Sequence, residues 1–261
     1  MIHKTAIIDN KAIISKDVEI GPYAVVGPNV SIETDTIIHS HVSITGNTKI
    51  GSGNEIFPFV SIGQEPQDLK YKGENNSLII GNKNKIREYV TINPGTEGGG
   101  SVTRIGNENL IMIQCHIAHD CQIGNNVVLA NNTQIAGHVK IENKVIIGGS
   151  SAVHQFVRIG ELSMIGGLTG VTTDVIPYAL SVGNRNYLEG LNLIGLRRSN
   201  ISNEDIKFID NLYKELFKNA EYRKNINNLS DEVKENFYVN KILNFINSDK
   251  KRAICIPENI R

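Results

Sequence analysis

The chain has 261 residues, 40% of them hydrophobic, with 27 basic and 27 acidic side chains. That length allows one or two domains with a sizeable core, and the balanced charge gives no general electrostatic case for nucleic acid or an anionic membrane as partner. The opening Met1-Ile2-His3-Lys4-Thr5-Ala6 has no apolar signal core, and no run approaches the ~18 apolar residues of a spanning helix, so a cytoplasmic protein without a membrane span is expected.

From Ile2 every sixth residue is Ile or Val as far as Ile62, through Ile8, Ile14, Ile20 and Val26. The count resumes at Ile80, Ile86 and Ile92, then runs from Ile105 to Val171, giving 26 repeats. Six is a multiple of the strand period of two and not of the helical 3.6, so these residues share one side of an extended chain. Small or β-branched residues follow four places later, as at Ala6, Ala12, Ala24, Val42, Cys115, Cys121 and Val139, where they can fill the interior beside the Ile. Gly follows the apolar residue at 21, 27, 51, 63, 81, 106, 124, 148, 160 and 166, where it can supply φ > 0 or a tight corner. Each hexad therefore reads as a short strand and a turn, and the whole as a β-helical solenoid in which a coil buries its inner face only by stacking. A sandwich would need longer strands with turns about 8–12 residues apart. Cys115 and Cys121 share the inward position and read as core thiols; with Cys255 the cysteine count is odd.

Two interruptions are informative. Between Ile62 and Ile80 the 18-residue offset is kept, but Asp68 and Glu74 stand where Ile is due, which predicts a protruding loop over about 63–79. Between Ile92 and Ile105 the offset is 13, so the stretch 93–104 holds seven extra residues, including Gly98-Gly99-Gly100. Repeat proteins commonly gather such insertions around a binding face. After Val171 the period stops, which divides the chain into a β-solenoid over 1–181 and a helical domain over 182–261. Ser202 is placed to cap a helix carrying Ile206, Ile209, Leu212, Tyr213 and Leu216. Further helices are expected over 230–237 and 239–246, with a short one through Leu188, Leu191 and Ile194.

Four of the seven His lie between 116 and 154. If three hexads make one coil, residues 18 apart sit about one strand spacing, ~4.8 Å, above one another. The hexads starting at 117, 135 and 153 then form a column, with His119, His138 and His154 along one edge and His116 beside it. Imidazole can take a proton near neutral pH, so this cluster beside two polar insertions points to general-base catalysis. A zinc site using His116, His119 and His138 is the competing reading, although the spacing matches no strong metal motif. Arg197-Arg198 can clamp a phosphate bidentately or simply end a solvated helix. No nucleophile elbow, phosphate loop or dinucleotide fingerprint is present.

The stretches GQEPQDLKY at 63–71, HIAHDC at 116–121, AGHV at 136–139, IIGGSSAVHQF at 146–156 and NLIGLRR at 192–198 resemble the bacterial UDP-N-acetylglucosamine O-acyltransferases, along essentially the whole chain. The resemblance implies a left-handed parallel β-helix with a C-terminal helical domain, in a homotrimer whose active sites lie between subunits. It implies transfer of a 3-hydroxyacyl group from acyl carrier protein to the sugar 3-position, the first step of lipid A biosynthesis, with no cofactor or metal. By matching position, His119 would be the general base, Asp120 its support and the Gly137 N–H the oxyanion donor. Asp68, Lys70, His116, His138, His154, Gln155, Asn192 and Arg198 would position substrate, and Gly167 would leave room for a long acyl chain.

Ile194, Ser199 and the pair Asn93-Pro94 depart from residues common in that family. These departures leave a 3-amino sugar nucleotide as an alternative acceptor. Two further readings stand beside acyl transfer: a zinc hydratase of the gamma carbonic anhydrase kind, and a noncatalytic solenoid. The acidic carrier protein would dock on a basic surface, for which Arg197, Arg198 and the helical-domain lysines are candidates.

Overall fold

The structure is a computed structural model that describes residues 1–261. The hexads fold as short strands ending on the inward Ile, and successive strands enter three different parallel sheets. Ile7–Ile8 opens the first sheet, Ile13–Ile14 the second and Glu19–Ile20 the third. The sheets reach nine, eight and ten strands. Ile8 pairs with Val26, Val26 with Ile44 and Ile44 with Ile62, so one coil takes 18 residues. First- and fifth-position residues point inward together: Ile44, Ile56, Ile111 and Ile117 are fully buried, as are Ala24, Val90, Cys121 and Val139. All three cysteines are buried and unpaired.

The corners show why the hexad is six residues long. Pro occupies the third position at Pro22 and Pro58, and the fourth residue there has positive φ, Tyr23 at 59° and Phe59 at 65°. Pro followed by a left-handed residue is the signature of a type II turn. Unusually, residues other than Gly fill that left-handed position, including Asp120, His138 and Phe156. The glycines at the second position serve close approach instead, and only Gly63 among them has positive φ. A Cβ on Gly81 would lie 2.4 Å from Asn107 Oδ1 and 2.6 Å from the Gly106 carbonyl oxygen. That room admits an asparagine ladder, in which Asn107 accepts from the Asn82 N–H at 2.8 Å and Asn125 from the Asn107 N–H at 2.7 Å.

Strand pairing locates both insertions. Ile62 stacks between Ile44 and Ile92, and Ile80 between Ile50 and Ile105, so Ile62 and Ile80 lie on different sheets. The 18-residue step between them is one hexad plus twelve looped-out residues; it is not a coil. The loop ends before the strand Ser77–Ile80. Ile92 stacks on Ile117, 25 residues on, which agrees with seven extra residues at 93–104. Both loops leave the corner between the first and second sheets.

The third sheet ends in an antiparallel hairpin, Ala179–Val182 with Tyr187–Leu191. A helix is expected through Leu188 and Leu191, but Gly183 at positive φ opens the turn that brings Tyr187–Leu191 back as the edge strand of the third sheet. Helix α1 (Leu193–Arg198) follows, then α2 (Asn203–Leu216), α3 (Tyr222–Asn227), α4 (Asp231–Glu235) and α5 (Phe237–Ser248). Ser202 caps α2 as expected, accepting the Asp205 N–H at 3.0 Å, and the five predicted apolar residues of α2 are buried. Buried Asp174 ties this region to the solenoid, binding Arg158 Nε and Arg252 Nε at 2.7 Å each.

Because the inward Ile residues pack between the coils above and below, truncating one leaves a cavity the coil cannot close. Ile111→Ala should cost ~2–5 kcal/mol in urea unfolding. Lys49→Ala, on an exposed outer face, should change stability by no more than ~0.5 kcal/mol.

Candidate active site

The corner after the first sheet carries the predicted cluster. The hexads at 117, 135 and 153 stack in register, Ile117 on Ile135 on Val153. Within each turn the three histidines occupy different places, however. His119, Gly137 and Gln155 share the third position, while Asp120, His138 and Phe156 share the left-handed fourth, with φ of 62°, 62° and 66°. Phe156 therefore stacks on His138, at 4.3 Å between centroids and 6° between planes. His154 sits at the second position, exposed, with Nδ1 3.3 Å from the Gln155 carbonyl oxygen, and does not extend the column.

His119 and Asp120 are adjacent and buried, with Nδ1 and Oδ2 2.8 Å apart. Asp120 also accepts the Thr96 N–H at 2.9 Å and the Thr96 hydroxyl at 2.6 Å. Burial alone would raise the Asp120 pKa, but the hydrogen bonds from His119 and Thr96, with His138 nearby, outweigh it and hold the carboxyl below its ordinary value. An ionised carboxylate only accepts, so Nδ1 of His119 donates, and in the neutral tautomer this leaves Nε2 as the acceptor nitrogen. Gly137 makes room for this ring: a Cβ there would lie 2.6 Å from Cε1 and 2.7 Å from Nε2. Its own N–H has no acceptor within the chain. The turn requires none at this position, which is why proline fits there in other coils.

Around the dyad, His138 Nδ1 is 3.9 Å from Asp120, and burial lowers its pKa against the opposing pull of that carboxylate. His116 binds Thr91 Oγ1 at 2.7 Å, and burial together with His119 lowers its pKa as well. Both rings are thereby biased toward neutrality. An open cavity of about 490 Å³ adjoins the cluster, lined by Asp68, Lys70, Glu74, Thr96, His138 and Phe156 among others. A larger groove of about 720 Å³ crosses the second sheet beside α5, past Arg104, Lys140 and Arg158. It holds no comparable buried dyad, so the chemistry is placed at the smaller cavity.

His119, Asp120 and His138 bring ligand-type atoms within 4.8 Å of one another. This set does not fit the zinc reading. His116, expected as a third nitrogen ligand, stands outside it and faces Thr91, and the Asp120 oxygens are already occupied by three donors.

Three expected residues lie away from the cavity. Asn192 is buried and caps α1, its oxygen accepting the Gly195 N–H at 3.0 Å and its nitrogen donating to the Leu162 carbonyl at 2.8 Å. Arg198 is exposed in the last turn of α1. Gly167 occupies the third position of a hexad whose strand lies in the third sheet, at the corner that follows that sheet, where a Cβ would meet nothing nearer than the Gly149 oxygen at 3.4 Å. Conversely, sequence reasoning missed Thr91, Thr96, Gly99 and Thr103, all of which touch His116 or Asp120. The only signal for Thr96 and Gly99 was the insertion itself, placed one coil before HIAHDC.

Residues 174–255 match the family model described as UDP-N-acetylglucosamine O-acyltransferase, domain 2, and residues 103–137 match the bacterial transferase hexapeptide model. The chain is 53% identical over 255 residues to the acyl-[acyl-carrier-protein]–UDP-N-acetylglucosamine O-acyltransferase of Rickettsia typhi, covering 97% of each protein. It is 48% identical to the protein of the same name from Thermodesulfovibrio yellowstonii, covering 97% of this chain and 98% of that protein. Among solved structures, the UDP-N-acetylglucosamine O-acyltransferase of Moraxella catarrhalis superposes with a TM-score of 0.93 at 44% identity, over 100% of this chain and 99% of that one. The Francisella novicida enzyme gives 0.94 at 36% identity, over 99% and 95%. The fold, the hexad register and these likenesses agree, and the chain belongs to the UDP-N-acetylglucosamine O-acyltransferase family.

Proposed function

We propose that this protein transfers an (R)-3-hydroxyacyl group from the thioester of acyl carrier protein to the 3-hydroxyl of UDP-N-acetylglucosamine, the first step of lipid A biosynthesis. The observation that carries the reading is the buried dyad: His119 has Nδ1 bound to Asp120 and its ring packed against Gly137, whose N–H is unbonded. His119 Nε2 takes the hydroxyl proton as the sugar oxygen attacks the thioester carbonyl carbon. The Gly137 N–H donates to the developing oxyanion, a contribution worth roughly 2.7–4 kcal/mol at comparable sites. Collapse of the tetrahedral intermediate breaks the carbon–sulfur bond, and the departing thiolate recovers the proton from His119. An ester and a free carrier thiol result, with no acyl-enzyme. The reaction is set in the cytoplasm, where the carrier protein and sugar nucleotide are found.

Asp68 and Lys70, on the first inserted loop, line the cavity with His138 and Phe156; in this reading they contact the sugar nucleotide together with His116, His138, His154 and Gln155. The 3-amino acceptor loses its support. Asn93, one of the departures behind it, spends its amide nitrogen on the Gln64 and Glu65 carbonyls at 3.1 and 3.2 Å, holding the base of the first loop. The related proteins named above are O-acyltransferases.

A homotrimer accounts for the dispersion of Gly167 and Arg198 away from His119. The outer face of the third sheet carries an in-register apolar column, Leu110, Val128, Ile146 and Met164. The outer face of the first sheet is uncharged and includes Thr91, Gln134, Ala152 and Gly170, with His116 among them. Packing the first kind of face on the second, repeated around a threefold axis, would place the corner with Gly167 and the C-terminal region of one subunit near His119 of the next. Arg198 then serves the nucleotide phosphates, Gly167 leaves the acyl groove open, and Asn192 acts by fixing α1.

His119→Ala should lower acyl transfer ~10²–10⁴-fold while the protein keeps its fold, and near-normal turnover would rule out the base assignment. Gly137→Ala should also lose most activity, because its Cβ occupies the space of the His119 ring; a normal rate would refute the close packing. Met164→Asp should yield monomers by size-exclusion chromatography with transfer lost, whereas an unchanged trimer would place the interface elsewhere.

A further inference from the structure

Asp120 is not held by its own coil alone. The seven-residue insertion, one coil earlier, folds over the corner and delivers two donors from one residue. The Thr96 N–H reaches Asp120 Oδ1 at 2.9 Å and the Thr96 hydroxyl reaches Oδ2 at 2.6 Å. Oδ2 is also the oxygen that accepts from His119, at 2.8 Å. Thr96 is itself buried, 4% exposed. Three residues on, Gly99 lies against the same carboxyl group, so closely that a Cβ would stand 2.0 Å from Asp120 Cγ. From the other side Thr103 Oγ1 accepts the Asp120 N–H at 2.8 Å.

We infer that Thr96 is a positioning residue for acyl transfer: its hydroxyl fixes the plane of the Asp120 carboxyl group, and through Asp120 the orientation of the His119 ring. The inference rests on the acyltransferase reading. Two donors from one residue fix both carboxylate oxygens, leaving the third bond to aim Nδ1 of His119 and hence Nε2. Short charge-assisted bonds of this kind are stronger than neutral ones and carry more geometric information. The insertion thus completes the dyad as well as bordering the cavity.

Removing the hydroxyl has a definite sign. The carboxylate loses a donor that favours its charged form, so Asp120 takes a proton at higher pH than before. The dyad needs Asp120 ionised, so the acid limb of the kcat/KM profile should move to higher pH. Thr96→Val keeps the shape and the backbone donor and deletes only the hydroxyl. It should lower kcat about tenfold or more, as expected for loss of a hydrogen bond to a charged group, with little change in KM for the sugar nucleotide. Thr96→Ser restores the hydroxyl and should return kcat to near the wild-type value.

The three proteins should be assayed with UDP-N-acetylglucosamine and a 3-hydroxyacyl carrier thioester, beside wild-type enzyme and His119→Ala. A valine variant with normal kcat and an unmoved acid limb overturns the proposal while an inactive His119→Ala leaves the acyltransferase reading intact. A fall in kcat that serine does not rescue, with the acid limb unmoved, assigns Thr96 a merely structural role and also overturns it. Absence of transfer by the wild-type enzyme, or full transfer by His119→Ala, overturns the underlying reading and the proposal with it. Should Thr96→Val fail to fold, Gly99→Ala carries the same test, since its Cβ displaces the carboxyl group while every hydrogen-bonding group remains. Normal kcat and an unmoved acid limb in that variant reject the proposal.

Discussion

A coil of this chain has no core of its own: its inward Ile and Val are buried only because another coil lies above and below. That requirement fixes the 18-residue step, and the step fixes everything outside the core as well. Residues 18 apart are obliged to be neighbours, so a side chain at one corner position meets the corresponding side chain of the next coil. The site is a product of that obligation. Asp120, His138 and Phe156 stack because each fills the left-handed position of its turn, and His119 lies against Gly137 because both fill the position before it.

The same register explains how an exposed corner can hold a buried dyad. A triangular solenoid presents its turns to solvent, where a carboxylate beside an imidazole would be hydrated and mobile. Here the two insertions leave from this corner and cover it. The first brings Asp68 and Lys70 to the cavity, anchored at its base by Asn93. The second brings Thr96 and Gly99 onto Asp120. Burial strengthens the pair, since hydrogen bonds to a desolvated carboxylate are worth more than in water, provided each oxygen is satisfied. The Asp120 oxygens meet that condition with three donors.

Much of this was legible in the sequence, because a strict period is a coordinate system. It placed the hexads at 117, 135 and 153 in one column and therefore found the corner. It did not show which way a side chain points from position two, three or four of a hexad, since that depends on backbone hand. His154 was consequently set in a stack that Phe156 occupies. Where the period lapses it shows that a loop leaves and nothing of the loop's own course: the 18 residues from Ile62 to Ile80 span one hexad and a loop. Thr96 was invisible for the same reason, lying in a Gly-rich stretch with no repeat to place it. In the C-terminal region local chemistry did better at Ser202, whose cap is a one-turn interaction, than at Tyr187–Leu191, whose strand exists only because Ala179–Val182 is there to pair with it.

The central claim is that His119 Nε2 receives the proton of the sugar 3-hydroxyl directly. A structure of the protein with UDP-N-acetylglucosamine bound tests it most directly. The account predicts the 3-hydroxyl oxygen within ~2.6–3.2 Å of Nε2, with the adjoining space open toward the Gly137 N–H for the acyl carbon. A sugar bound with its 3-hydroxyl turned away from His119, or seated in the groove of the second sheet beside α5, would contradict it.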